Sequence, residues 1–196
     1  MGGGAGRTAR RVCAVKAVLD ACVLYPTVLR EILTGVAAEG LYTPLFSDRI
    51  LREWTLATAK LGAVEQAFAE GEAAQLRAAF PRATVRAHPE IEARLDLPDP
   101  NDVHVLAVAI AGHADCIVTF NAADFPRHLL AEEGIERRDP DGFLWQLWSD
   151  HPSVVYGVVA RVHATACRLS GQDMTLKSLL KRAKLNRLSK ALHSVI

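Results

Sequence analysis

Two short apolar runs, Val15-Lys16-Ala17-Val18-Leu19-Asp20 and Cys116-Ile117-Val118-Thr119-Phe120, lie far apart in the chain with helical periodicity between them. Both are brief and rich in β-branched residues, which predicts buried strands, and the first ends on a carboxylate. Buried strands separated by helices pair as a parallel sheet, because a parallel partner needs a long crossover connection. Such a sheet must be covered on both faces. The predicted fold class is therefore α/β, with a central parallel sheet in an α/β/α sandwich. Half of the 196 residues are hydrophobic, enough to fill that core.

The segments between the strands complete the pattern. Val28, Leu29, Ile32, Leu33 and Val36 recur at helical spacing between Pro26, suited to a first turn, and Gly40. An extended piece over residues 42–46 leads to Ser47, a good N-cap, and the helix after it carries Ile50, Trp54, Ala57 and Leu61 on one stripe. Residues 63–80 predict another helix, stopped by Pro81, and Thr84-Val85-Arg86 a short strand. Asp99 caps a helix that begins at Pro100 and turns Val103, Leu106, Ala107, Ile110 and Ala111 inward. After Phe120 come a loop over residues 121–125, a short helix, an extended Ile135-Glu136-Arg137 and a helix over 141–148. From Pro152 onward strand signals stop, and three helices are predicted over residues 154–169, 176–184 and 188–195. The domain plan is a flexible glycine-rich tail over 1–14, an α/β domain over 15–150 and an appended helical segment over 151–196.

Charge and composition exclude several classes. Lys and Arg number 23 against 22 Asp and Glu, so bulk charge names no partner. Its distribution is uneven: residues 41–140 hold 16 acids against 10 bases, while 171–196 hold six bases against one acid. Such segregation fits a cation at the centre and a polyanion or acidic partner at the edge; solvated faces fit it equally. No stretch approaches the roughly 18 uncharged apolar residues that a membrane span needs. The start lacks an apolar targeting core, which predicts a cytoplasmic protein. Cysteines at 13, 22, 116 and 167 have neither zinc-ligand nor disulfide-framework spacing.

Four acids sit where acids are expensive. Asp20 ends a hydrophobic strand, Glu53 falls on the apolar stripe of its helix, Asp102 lies in a first helical turn, and Asp124 follows the strand ending at Thr119-Phe120. Carboxyl ends of parallel strands and adjoining helix N-termini form the ligand crevice of such sheets. Each acid alone has a structural explanation in a cap, a dipole or a turn. Together they repel, by about 4 kcal/mol for two carboxylates 4 Å apart at an effective dielectric near 20. Such a group needs protons, basic residues or a divalent cation, and oxygen-only donors favour Mg²⁺ or Mn²⁺. The seven histidines lack a nucleophile context, although His104, two residues past Asp102, is placed to face the crevice.

These segments also carry a resemblance. Val18-Leu19-Asp20-Ala21-Cys22-Val23-Leu24 followed by Pro26 resembles the opening of the PIN-domain nucleases. Residues 47–53 resemble their second motif, a Ser-capped helix bearing an inward Glu. Asp99-Pro100-Asn101-Asp102-Val103-His104-Val105-Leu106-Ala107 resembles the third, and Ile117-Val118-Thr119-Phe120-Asn121-Ala122-Ala123-Asp124-Phe125-Pro126 the fourth. The likeness covers about residues 15 to 148, in family order. It implies a Mg²⁺- or Mn²⁺-dependent ribonuclease, most often the VapC-type toxin of a bacterial toxin–antitoxin pair. Asp20, Glu53, Asp102 and Asp124 would then be the catalytic, metal-binding quartet. The third motif offers both Asp99 and Asp102; Asp102 is preferred because Asp99 has a cap to make. Many PIN sequences carry an Asp directly after the Thr-x pair, where this chain has Asn121, so Asp124 supplies the fourth acid. Thr119, Asn121 and Asp99 are supporting neighbours.

The implied partners are an RNA substrate, a cognate antitoxin and a second copy of the chain, with no membrane. Lys177, Lys181 and Lys184, at i, i+4 and i+7, would line one helical face suited to RNA phosphates. A PIN nuclease of DNA or RNA processing outside toxin systems, and a PIN scaffold that binds without cutting, stand as the alternatives.

Overall fold

The computed structural model describes residues 15–193; the predicted tail over 1–14 and the last residues of the predicted final helix lie outside that span. In chain order the elements are β1 (Lys16–Leu19), α1 (Ala21–Leu24), α2 (Thr27–Ala38), β2 (Thr43–Leu45), α3 (Asp48–Thr58), α4 (Ala63–Ala79), α5 (Pro89–Glu92), α6 (Val103–Ala111), β3 (Cys116–Val118), α7 (Arg127–Glu132), β4 (Glu136–Arg138), α8 (Pro140–Asp150), α9 (Pro152–Ser170), α10 (Leu176–Arg182) and α11 (Asn186–His193). The four strands form one parallel sheet in the order β2-β1-β3-β4. Val18 stands between Leu45 and Ile117, and Leu19 pairs with Val118.

Burial explains which strand takes which place. Ala17, Val18 and Leu19 are inaccessible to solvent, as are Ile117 and Val118, so β1 and β3 occupy the centre. The edges tolerate what a central strand cannot: Pro44 in β2, which lacks a donor, and a charged Glu-Arg-Arg in β4. The chain leaves β1 toward β2 and later returns to β1's other side through β3. This reversal opens a crevice at the carboxyl ends of β1 and β3, where Asp20 and Thr119 emerge.

Several local expectations change. α3 ends at Thr58, and a 3-10 turn over Ala59–Leu61 leads to Gly62 at φ +139°, which leaves Leu61 exposed and off the apolar stripe. Thr84 makes a single parallel bridge to Phe46 instead of a strand, because only that one register is paired. Pro26 stands at the N-cap of α2, one place before its first turn. α1, too short for a periodicity signal, intervenes between β1 and α2.

One apolar core runs from the sheet to the C-terminal helices. Val155, Val158 and Val159 of α9 and Leu180, Leu185, Leu188 and Leu192 belong to the same buried cluster as the strands. α9 packs on α2 and α8, and α11 packs on α8. Gly35 allows the first contact: a Cβ there would lie 2.6 Å from Val158 Cγ1. Tyr42 links the layers, its hydroxyl donating to the Leu33 carbonyl at 3.1 Å and its ring edge-on to Phe143. Buried Arg30 donates to the Leu24 carbonyl at 2.7 Å and to Glu72 at 2.6 Å, with its guanidinium over Trp54. Among the described residues no helix is long and apolar enough to cross a membrane.

Candidate active site

Asp20 occupies the N-cap position of α1, yet its side chain makes no cap bond there. It turns instead toward β3. Thr119 Oγ1 donates to Asp20 Oδ2 at 2.6 Å, and Cys22 Sγ approaches the same oxygen at 3.0 Å. The Asn121 backbone N–H donates to Thr119 Oγ1 at 2.9 Å, so the hydroxyl is used in both directions. Burial, then the neighbouring Asp20 charge, push the Cys22 thiol up to about 12, which keeps it a neutral donor.

Asp99 and Asp102 reach the same edge through a 3-10 turn over Pro100–Asp102, where the sequence predicts regular helix, before α6 begins at Val103. Asp99 caps that turn, its Oδ1 accepting from both Asn101 N and Asn101 Nδ2 at 2.9 Å. Both bonds fall on one oxygen, Oδ1. Asp124 lies on the loop after β3. That loop is anchored by fully buried Phe125 and by Arg137 of β4, which donates to the Ala122 and Phe125 carbonyls. Asp99, Asp102 and Asp124 can each offer one carboxylate oxygen, all within 4.8 Å of one another.

The electrostatics follow from that crowding. Asp102 is raised to about 6, first by burial and then by the charges of Asp20, Asp99 and Asp124, with His104 pulling the other way. Asn121 Nδ2 donates to Asp102 Oδ2 at 3.1 Å and fixes one oxygen of this most crowded carboxylate. Asp20 therefore stands within electrostatic reach of the trio. Glu53 belongs to an adjacent set. Its Oε1 lies 3.2 Å from Arg49 Nε and 3.0 Å from His104 Nε2. Burial works to raise Glu53, but His104 and Arg49 outweigh it and hold the carboxyl below its usual range. Arg49 also donates to the Asn101 carbonyl at 3.2 Å, tying α3 to the turn that carries Asp102.

The lysine array takes a different form. Lys177 and Lys181 lie exposed on α10, but that helix ends at Arg182, and Lys184 adopts a left-handed φ of +60° beyond it. Its ammonium sits 5.1 Å from the centre of the Phe120 ring. The Arg49–Glu53 pair is an i,i+4 contact that the spacing on α3 already offers, whereas the Cys22–Thr119, Arg49–Asn101 and Glu53–His104 contacts join separate elements and could not be read from sequence patterns.

In the comparison with protein families, the PIN domain matches residues 16–123, more than half of the chain. The chain belongs to the PIN-domain family. PIN domains are generally nucleases, acting on nucleic acid with the help of divalent metals. The donors here fit that chemistry: carboxylate oxygens only, crowded enough to raise one of their number, as a hard dication requires. No curated protein and no solved structure matches the chain.

Proposed function

We propose that this PIN protein is an endoribonuclease dependent on Mg²⁺ or Mn²⁺, hydrolysing RNA phosphodiester bonds as the toxin of a toxin–antitoxin pair. The observation that carries the nuclease reading is the convergence of Asp99, Asp102 and Asp124 within 4.8 Å, with Asp20 close enough to raise Asp102. The toxin role rests on the motif resemblance, and the antitoxin and a homodimeric partner belong to it. Residues 15–150 are the nuclease unit in this proposal and 151–196 its extension.

Each side chain has a part in this proposal. Asp102, Asp124 and Asp99 would hold the cation, which would supply charge for the phosphate oxygens and lower the pKa of an attacking water. Thr119 and Cys22 orient Asp20 through Oδ2, leaving Oδ1 for the cation or for a water proton. Asn121 keeps Asp102 from rotating. Glu53 stands beside the set on α3, held through its Oε1 by Arg49 and His104.

The test is direct. Purified protein should cleave RNA with Mg²⁺ or Mn²⁺ and not with EDTA, and Asp20→Asn should abolish cleavage while the far-UV circular dichroism stays unchanged. If wild type and Asp20→Asn bind RNA equally and neither cuts, the protein is a binding scaffold. Growth arrest on expression in a bacterial host, absent with Asp20→Asn, tests the toxin role.

A further inference from the structure

Phe120 connects the acidic centre to the C-terminal helices. On one side of it Thr119 bonds Asp20, and on the other Asn121 bonds Asp102. Its ring carries the Lys184 ammonium at 5.1 Å. Three residues on, the Arg187 guanidinium covers the Trp145 ring of α8 at 3.6 Å. Asp141, also of α8, accepts from the Arg187 and Leu188 backbone N–H groups at 2.7 and 2.9 Å and so fixes the start of α11. Two exposed cations are thus held at defined places by aromatic rings, the first on the residue between Thr119 and Asn121 in the chain.

The backbone at Lys184 adds a second observation. Leu185 N donates to the Leu180 carbonyl and Lys184 N to the Lys181 carbonyl, the paired bonds of a helix end whose left-handed position glycine usually fills. Lys184 holds that place at φ +60°, a conformation unfavourable to a side-chain-bearing residue. No acidic side chain pairs with Lys184 or Arg187 within salt-bridge distance among the described residues. A strained, exposed cation with no acidic partner, seated on the residue that links Thr119 to Asn121, points to a ligand of opposite charge.

We propose that the segment from Lys184 to Arg187 binds the phosphate backbone of a single-stranded RNA substrate flanking the acidic centre. This rests on the ribonuclease reading. Cations that contact phosphates carry no base information, so the segment reads charge rather than base identity. It also gives the C-terminal extension a function, that of completing the substrate cleft of the PIN core.

Binding of a fluorescently labelled, mixed-sequence single-stranded oligoribonucleotide, measured by anisotropy in EDTA over a series of salt concentrations, tests this. Lys184→Gly removes the cation while relieving the backbone, so its Tm should not fall. Its affinity should drop roughly threefold to tenfold, and the salt slope should shrink by about 0.7, the change expected when one phosphate of a single strand is no longer neutralised. Arg187→Gln should do the same, and Lys184→Arg should restore binding. Unchanged affinity and slope in both Lys184→Gly and Arg187→Gln overturn the inference while leaving wild-type cleavage, and so the ribonuclease reading, intact. Wild type that neither binds nor cuts RNA overturns both. Variants that lose binding to polyglutamate but not to RNA assign the surface to an acidic protein and overturn the RNA assignment.

Discussion

Asp99 shows why residue roles at this edge are only partly legible in the sequence. Capping and ligation look like competing jobs, but Asp99 caps the turn through Oδ1 and still lies in the carboxylate group with Asp102 and Asp124, which only the folded turn reveals. Asp20 and Asp102 are legible because a carboxylate ending an apolar strand, or opening the helix after Asp-Pro, has few places to go. Glu53 is legible as an inward acid, but not its pairing with His104, which lies on another helix. Asp102 carries a pH prediction. Its folded pKa, about 6, lies above the ordinary aspartate value of 3.8. Between those values the folded chain keeps a proton that the unfolded chain gives up, so this group's contribution to stability declines as pH rises and is fully lost above about 6. Thermal melts of metal-free wild type minus Asp102→Asn should show that decline, with the variant the more stable at pH 7.5. Added Mg²⁺ should reverse the order at pH 7.5, stabilising wild type by about 3 kcal/mol at a hundredfold excess over Kd and Asp102→Asn far less. An equal response of the two to Mg²⁺ would place the cation elsewhere. Arg30 carries another prediction: Arg30→Ala should cost about 3 kcal/mol in urea unfolding, because Glu72 loses its partner and Trp54 its cation.

The elements are legible wherever one period dominates. β1 and β3 announce themselves by unbroken apolar runs, and α2 by a clean stripe. β4, which is short, charged and on the edge, gives only an extended hint, since it is defined by its pairing with β3 and not by its own side chains. The expected lysine face fails for a physical reason: α10 closes at Arg182, before Lys184 could join it, and the backbone turns left-handed there. The α2–α9 packing yields a prediction at this scale. Gly35→Ala should gain about 1 kcal/mol of helix propensity but lose more through its clash with Val158, for a net cost of about 1 kcal/mol. Val158→Ala in the same chain should make Gly35→Ala neutral or stabilising. A double-mutant cycle by chemical denaturation measures that coupling, and additive effects would mean that the helices do not meet there.

At the scale of the molecule the sheet order follows from the strands' burial, but the placement of the C-terminal helices does not. Their sequence shows amphipathic faces without saying what those faces meet. In the structure they meet the core itself, and fully buried Val155, Val159, Leu180, Leu185 and Leu188 come from this segment. Each contributes about 1.5–3 kcal/mol of burial, against a typical domain stability of about 5–15 kcal/mol. A chain cut after Asp150 should therefore fail to melt cooperatively, as near-UV circular dichroism would show; a truncated chain with the parent's Tm would mean that the extension only decorates a self-sufficient unit. The opposite end of the sheet has a practical bearing. Asp115 takes the Lys16 backbone N–H at 2.7 Å and pins the start of β1 on the amino side of the strands. Every strand points its carboxyl end at the acids, so a probe fixed on exposed Val15 would sit at the rear of the sheet, and single molecules anchored through that side chain would turn the cleft toward the solution.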